Sequence, residues 1–143
     1  MKNSHPGTVR ASVIMAARNV ERTVGRAILS ATAQSLREIE VIVVDDGSSD
    51  ATASIVASLA QADPRIRLIR HPRSLGVSAA RNAAVAEAQG EWLAVLDADD
   101  WFAPDRLATL VQSGEERDLD AVIDNLQRVD SSNGAPHWPR LSS

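Results

Sequence analysis

"EVIVVDDGSSDAT", Glu40 to Thr52, carries the decision about the fold. Val41 to Val44 is an unbroken β-branched run, the pattern of a strand covered on both faces. Asp45 and Asp46 end that run, and Gly47 lets the backbone turn sharply. Ser49 or Asp50 then offers an N-cap to a helix over 51–62 that presents Ile55, Val56 and Leu59 to a core. A buried strand that passes through a short turn into a helix is the repeating unit of a parallel sheet.

The same unit recurs on either side. "SVIMA" (Ser12 to Ala16) is a strand, and the segment from Val20 to Gln34 sets Val24, Ala27, Ile28 and Ala31 on one helical face. "IRLI" (Ile66 to Ile69) is a third strand, followed by an alanine-rich helix from Gly76 to Ala88 with Gly90 as its stop. "EWLAVL" reads as a fourth strand, buried like the second. Pro104 opens a helix carrying Leu107, Leu110 and Val111, and "LDAVID" (Leu119 to Asp124) reads as a fifth strand. The expected architecture is α/β: a mostly parallel sheet with helices on both faces, joined by right-handed crossovers. It occupies 9–130, with a disordered N-terminus over 1–8 and a loop or tail over 131–143.

Composition narrows the class. A chain of 143 residues fits one domain with a real core. It has no cysteine, which excludes disulfides and thiolate zinc sites. A net charge of −4 with mixed signs argues against a nucleic-acid partner or a polybasic membrane anchor. No apolar run approaches the ~20 residues of a transmembrane segment, and no signal-peptide core opens the chain. A cytoplasmic domain is expected, with a peripheral position at the inner face of the membrane as the other option. Of the 15 basic residues only Lys2 is lysine. That speaks against a signalling receiver domain, which needs a lysine late in the sheet, and against a P-loop nucleotidase. His5 and His137 lie in the ends, and His71, in a loop before Pro72, reads as structural or exposed rather than as a ligand.

In parallel sheets ligands sit beyond the carboxyl ends of the strands. "LAVLDADDW" (Leu93 to Trp101) puts Asp97, Asp99 and Asp100 there. Alternation along extended backbone points Asp97 and Asp99 the same way. Two carboxylates so close repel unless a cation neutralises them, and oxygen-only ligation suits Mn²⁺ or Mg²⁺. The bland alternative is a solvated turn with Asp100 as a helix cap. At the end of strand two, Asp46 has a matching pair of readings, a base-binding carboxylate or a turn and cap. Arg18 and Asn19 in "MAARN", and Arg81 in "SLGVSAARN", reach the same edge only if the sheet is parallel. Trp101 has the residue type to line a sugar pocket.

Taken together, "SVIMAARN", "EVIVVDDGSSDAT", "LGVSAARNAAVAEAQGEW" and "LAVLDADDWFAPDRL", in that order, resemble the N-terminal half of a family 2 glycosyltransferase with the Rossmann-like GT-A fold. The resemblance covers roughly Val9 to Asp130. It implies inverting transfer of a sugar from a nucleotide-diphosphate sugar, a UDP-sugar in the first instance, to a glycan or lipid-linked acceptor. It implies that Asp46 binds the base while Asp45 shapes the turn. Asp99 would be the metal ligand, with Asp97 contacting ribose or metal-bound groups across Ala98, and Arg81 would lie near the diphosphate. Ala16 and Arg18 stand where the family carries proline and tyrosine, and a guanidinium plane can stack where the aromatic ring would. The family's acceptor half, with its catalytic base, follows the fifth strand. The chain therefore reads as a fragment truncated there, with the base unassigned and an open sheet edge that invites a homo-oligomer. A binding-only domain derived from the same fold is the alternative.

Overall fold

The computed structural model describes residues 7–124, together with the backbone of 128–129 and 136–137. Four strands, β1 (Ala11–Ala17), β2 (Ile39–Asp46), β3 (Ile66–His71) and β4 (Trp92–Val95), form one parallel sheet in the order β3-β2-β1-β4. The helices between and after them are α1 (Val24–Thr32), α2 (Thr52–Ala62), α3 (Val77–Glu87) and α4 (Arg106–Glu116). β1 is central, with Ala11 opposite Ile39 on one side and Trp92 on the other.

Alternation divides the strand side chains between two cores. Val13, Met15, Val41 and Val43 meet α1, α2 and α4 through Ile28, Val56, Leu107 and Val111. Ile14, Ile42 and Val44 meet α3 through Ala80 and Ala84. Alanines on α3 let that helix lie close to the sheet, so a single helix covers β1 and β2. The expectation of a parallel sheet with helices on both faces is met.

Several local readings are corrected. β4 was expected to be a buried strand, but it is an edge strand, and Leu93 and Val95 are about half exposed. Its inward residues, Trp92 and Ala94, pack on the larger core. Gly114 of α4 sits so close to the Trp92 ring that no side chain fits between them. Residues 119–124 carry no strand; the next strands are β5 (Arg128–Val129) and β6 (Pro136–His137), paired antiparallel with each other. The helix α3 ends at Glu87, with Ala88 as C-cap, so Gly90 does not stop it. Gly90 instead lies against β1, where a Cβ would come within 2.6 Å of the Ser12 amide nitrogen. Helix α4 starts at Arg106, two residues beyond Pro104. Residues 1–6 and most of 131–143 lie outside the described residues.

Candidate functional site

The carboxyl ends of β1, β2 and β4 open into one cleft of about 420 Å³. Ala16, Ala17 and Arg18 form its floor, and Asp46, Ser74, Gly76 and Val77 form one wall. Arg81, Asp97, Ala98 and Asp99 form the other wall, with Val20 at the rim. The parallel order of β2, β1 and β4 brings these distant segments together.

The Asp46 wall is built from the turn after β2 and the loop after β3. Asp46 is 3% exposed. Its Oδ1 accepts from the Leu75 amide at 2.9 Å and pairs with His71 Nδ1 at 2.7 Å. Its Oδ2 accepts from the Ser74 hydroxyl at 2.8 Å and the Gly76 amide at 3.0 Å. Because a carboxylate only accepts, His71 carries its proton on Nδ1. The Leu75 amide first, then His71, hold Asp46 well below the usual carboxylate range despite its burial. Gly47, at φ +70°, allows the loop to lie flat on the turn. A Cβ there would sit 2.6 Å from the Ser74 amide nitrogen.

Asn19 and Asp45 do not line the cleft. Asn19, at φ 51°, accepts the Ser49 amide at 2.9 Å, and its own amide donates to Ser48 Oγ at 3.0 Å. Glu21 adds to the lacing: its carboxylate accepts the Ala51 amide at 2.9 Å, and its amide donates to Asp50. Asp50 also accepts the Thr52 amide at 2.9 Å, although the N-cap of α2 is Ala51. Asp45 is fully buried; its Oδ1 accepts the Ser48 amide at 3.3 Å, and its Oδ2 lies 3.7 Å from Arg70 Nε. These residues join the β1 and β2 loops into one body.

Across the cleft the chemistry is inverted. Leu96 and Ala98 point into the protein, while Asp97, Asp99 and Asp100 are exposed, with carboxylate oxygens within 4.8 Å of one another. Burial, then the charges of Asp99 and Asp97, push the Asp100 pKa up. Among the described residues one cation answers the three: the Arg81 guanidinium donates to Asp97 Oδ1 at 2.7 Å. The donor set is hard oxygen, open on one side, and therefore fits Mg²⁺ or Mn²⁺ with remaining positions for water or phosphate.

The loop carrying these acids is anchored from behind by residues that no motif marks. Gln34 is completely buried at the end of the α1 segment. Its Nε2 donates to Ala103 O at 2.6 Å, and its Oε1 accepts the Leu107 amide at 3.0 Å. Ser30 Oγ accepts the Phe102 amide at 3.0 Å. Trp101 does not line the cleft; the Arg26 guanidinium lies 3.4 Å from its ring centroid and covers one face.

The family model for glycosyl transferase family 2 matches residues 12–142. The chain is 45% identical over 116 residues to the succinoglycan biosynthesis protein ExoO of Rhizobium meliloti, covering 81% of this chain and 33% of that protein. It is 36% identical over 130 residues to ExoU of the same organism, covering 90% and 36%. Among solved structures, S. aureus TarS with UDP superposes with a TM-score of 0.69 at 27% identity, over 75% of this chain and 32% of that one. The mannosyltransferase PcManGT of Pyrobaculum calidifontis, with GDP-Man and Mn²⁺, gives 0.68 at 30% identity, over 73% and 32%. The chain thus spans about a third of the length of the relatives it matches. It belongs to glycosyl transferase family 2, and its fold is that of the GT-A glycosyltransferases.

Proposed function

We propose that this family 2 glycosyltransferase chain binds the nucleotide-diphosphate part of an activated sugar in the cleft, together with Mn²⁺ or Mg²⁺. The sugar is then transferred with inversion to a glycan or lipid-linked acceptor. The observation that carries the reading is one cleft with the Asp46 turn on one wall and Asp97, Asp99 and Arg81 on the other. Asp99 and Asp97 would hold the cation, Asp99 most directly. When bound, such a cation supplies Lewis-acid neutralisation of the charge that develops on the departing diphosphate.

The chain's own residues divide the rest of the work. Arg81 faces the phosphates with a guanidinium, and Ala16 and Ala98 are small enough to leave the ligand close to backbone. Arg18, exposed on the floor, offers a plane on which a base can stack. Asp46 accepts a base N–H when one of its four present donors yields. The Ser74 hydroxyl, which rotates freely, is the donor suited to do so. Asn19 and Asp45 keep the two loops in register. A UDP-sugar is the proposed donor, supported by the UDP bound to TarS. The GDP-Man and Mn²⁺ of PcManGT support a nucleotide-sugar and a divalent cation more generally. These roles leave none of the described cleft residues to deprotonate an acceptor hydroxyl, a step that needs its own base.

Calorimetric titration of UDP and of GDP, each with Mn²⁺ and with chelator, tests the reading. UDP is expected to bind tightly only with the metal, and GDP more weakly. Equal UDP affinity in chelator would overturn the metal-assisted reading, and tighter binding of GDP would overturn the choice of base.

A further inference from the structure

The only described basic group ion-paired with Asp97, Asp99 or Asp100 is Arg81, and it occupies the carboxylate that the proposed cation also needs. We propose that Arg81 is an exchangeable counter-ion. It holds Asp97 while no divalent cation is bound, and it passes to a donor phosphate when the cation takes Asp97. The inference rests on the site read above and adds a coupling between its two ligands.

Three observations carry it. The Arg81–Asp97 contact is short, 2.7 Å, yet both partners are exposed, 40% and 55% for their side chains, so water screens the pair and it is weakly held. Asp99 and Asp100 have no basic partner among the described residues, so one monovalent charge serves three carboxylates. Arg81 itself lines the cleft, on α3, whose N-terminal residues Gly76 and Val77 line it too. A guanidinium released there stays beside the space that a diphosphate would enter, and its planar fork suits phosphate oxygens.

Competition and cooperation follow from the same group. Without nucleotide, Arg81 opposes the cation, because both seek Asp97. With nucleotide, the displaced guanidinium gains phosphate oxygens that replace the lost carboxylate. The cation then tightens nucleotide binding, and the nucleotide tightens cation binding by the same factor.

The test measures Mn²⁺ binding alone, by the electron-spin signal of free Mn²⁺, and UDP binding in saturating Mn²⁺. It uses the wild type, Arg81→Met and Arg81→Lys, with circular dichroism to establish folding. Arg81→Met is expected to bind Mn²⁺ alone about two- to five-fold more tightly, the scale of an exposed ion pair. It is expected to bind UDP about ten-fold or more weakly, the scale of a charged hydrogen bond. Arg81→Lys keeps the charge and should restore the wild-type Mn²⁺ constant while recovering UDP binding only in part. A folded Arg81→Met chain whose Mn²⁺ affinity is unchanged or lower would overturn the exchange, as would unchanged UDP affinity, while metal-dependent UDP binding by the wild type stands. Wild-type protein that binds neither Mn²⁺ nor UDP would remove the underlying reading and the exchange with it.

Discussion

The turn after β2 and the loop after β4 both bring carboxylates to the same cleft, and the protein treats them in opposite ways. Asp46 is buried and surrounded by donors, so its charge is satisfied by the chain itself. Asp97, Asp99 and Asp100 stand in solvent within reach of one another, and among the described residues a single arginine answers them. A saturated carboxylate stabilises the fold, because leaving its donors unpaired in the interior is costly. Crowded, under-compensated carboxylates cost stability, and binding a cation recovers it. The difference separates a wall whose charge the chain itself satisfies from a wall whose charge it leaves largely uncompensated.

Stability measurements probe the contrast most sharply. Asp46→Ala strips four donors of their acceptor and is expected to lower unfolding free energy by about 2–4 kcal/mol in urea titrations. Asp99→Ala, at an exposed position, should stay within about 0.5 kcal/mol of the wild type. Equal losses in the two variants would erase the distinction.

Ligand binding probes the exposed carboxylates directly. Asp99→Asn is expected to weaken Mn²⁺-dependent UDP binding about ten-fold or more, with Asp97→Asn losing less. Calorimetry with and without chelator reads both.

Acid titration sharpens the contrast through sign. Asp46 has its folded pKa lowered, so its contribution is complete above the ordinary carboxylate value of about 3.9 and is lost as pH falls below it. Asp100 has its pKa raised, so ionising it opposes folding, and that penalty is relieved as pH falls through its folded value toward the ordinary carboxylate value of about 3.9. Asp46→Asn should therefore flatten the stability profile below about pH 4. Asp100→Asn should raise stability near neutrality, where the wild type carries the repelling charge. Unfolding curves between those limits would decide, and like-signed effects would count against the contrast.

The smallest effect is expected at the floor between the walls. Arg18→Ala should leave stability unchanged and weaken UDP a few-fold, roughly the scale of an exposed stacking guanidinium. Unchanged binding would remove Arg18 from the base subsite.

Much of this was legible in sequence because it follows local rules. Apolar runs and helical periodicity located β1, β2, β3 and all four helices, and the parallel reading brought Arg18, Asp46, Arg81, Asp97 and Asp99 to one edge. What failed depended on neighbours. "LAVL" has the composition of a buried strand, but the sheet order leaves Leu93 and Val95 on an uncovered side. "LDAVID" alternates well enough for a strand, yet Arg106 holds Asp124 at 2.6 Å and the segment forms no ladder. Gly90 resembled a helix stop, whereas its reason is contact with β1. Gln34, Ser30 and the His71–Asp46 pair were invisible because each acts across a long stretch of chain, and nothing nearby announces the partner.

The central place of β1 has a consequence for the order in which the cleft is made. β1 meets β2 after one short crossover but meets β4 only after β3 and α3 have been laid down. Closing the shorter loop costs less chain entropy, and contacts near in sequence form faster. During synthesis, at ~5–20 residues per second, the segment that clamps Asp46 is joined to the chain before Asp97, by roughly a second or more. The Asp46 wall can thus form first, and the acidic loop arrives last, docking through Gln34 onto a scaffold that already exists.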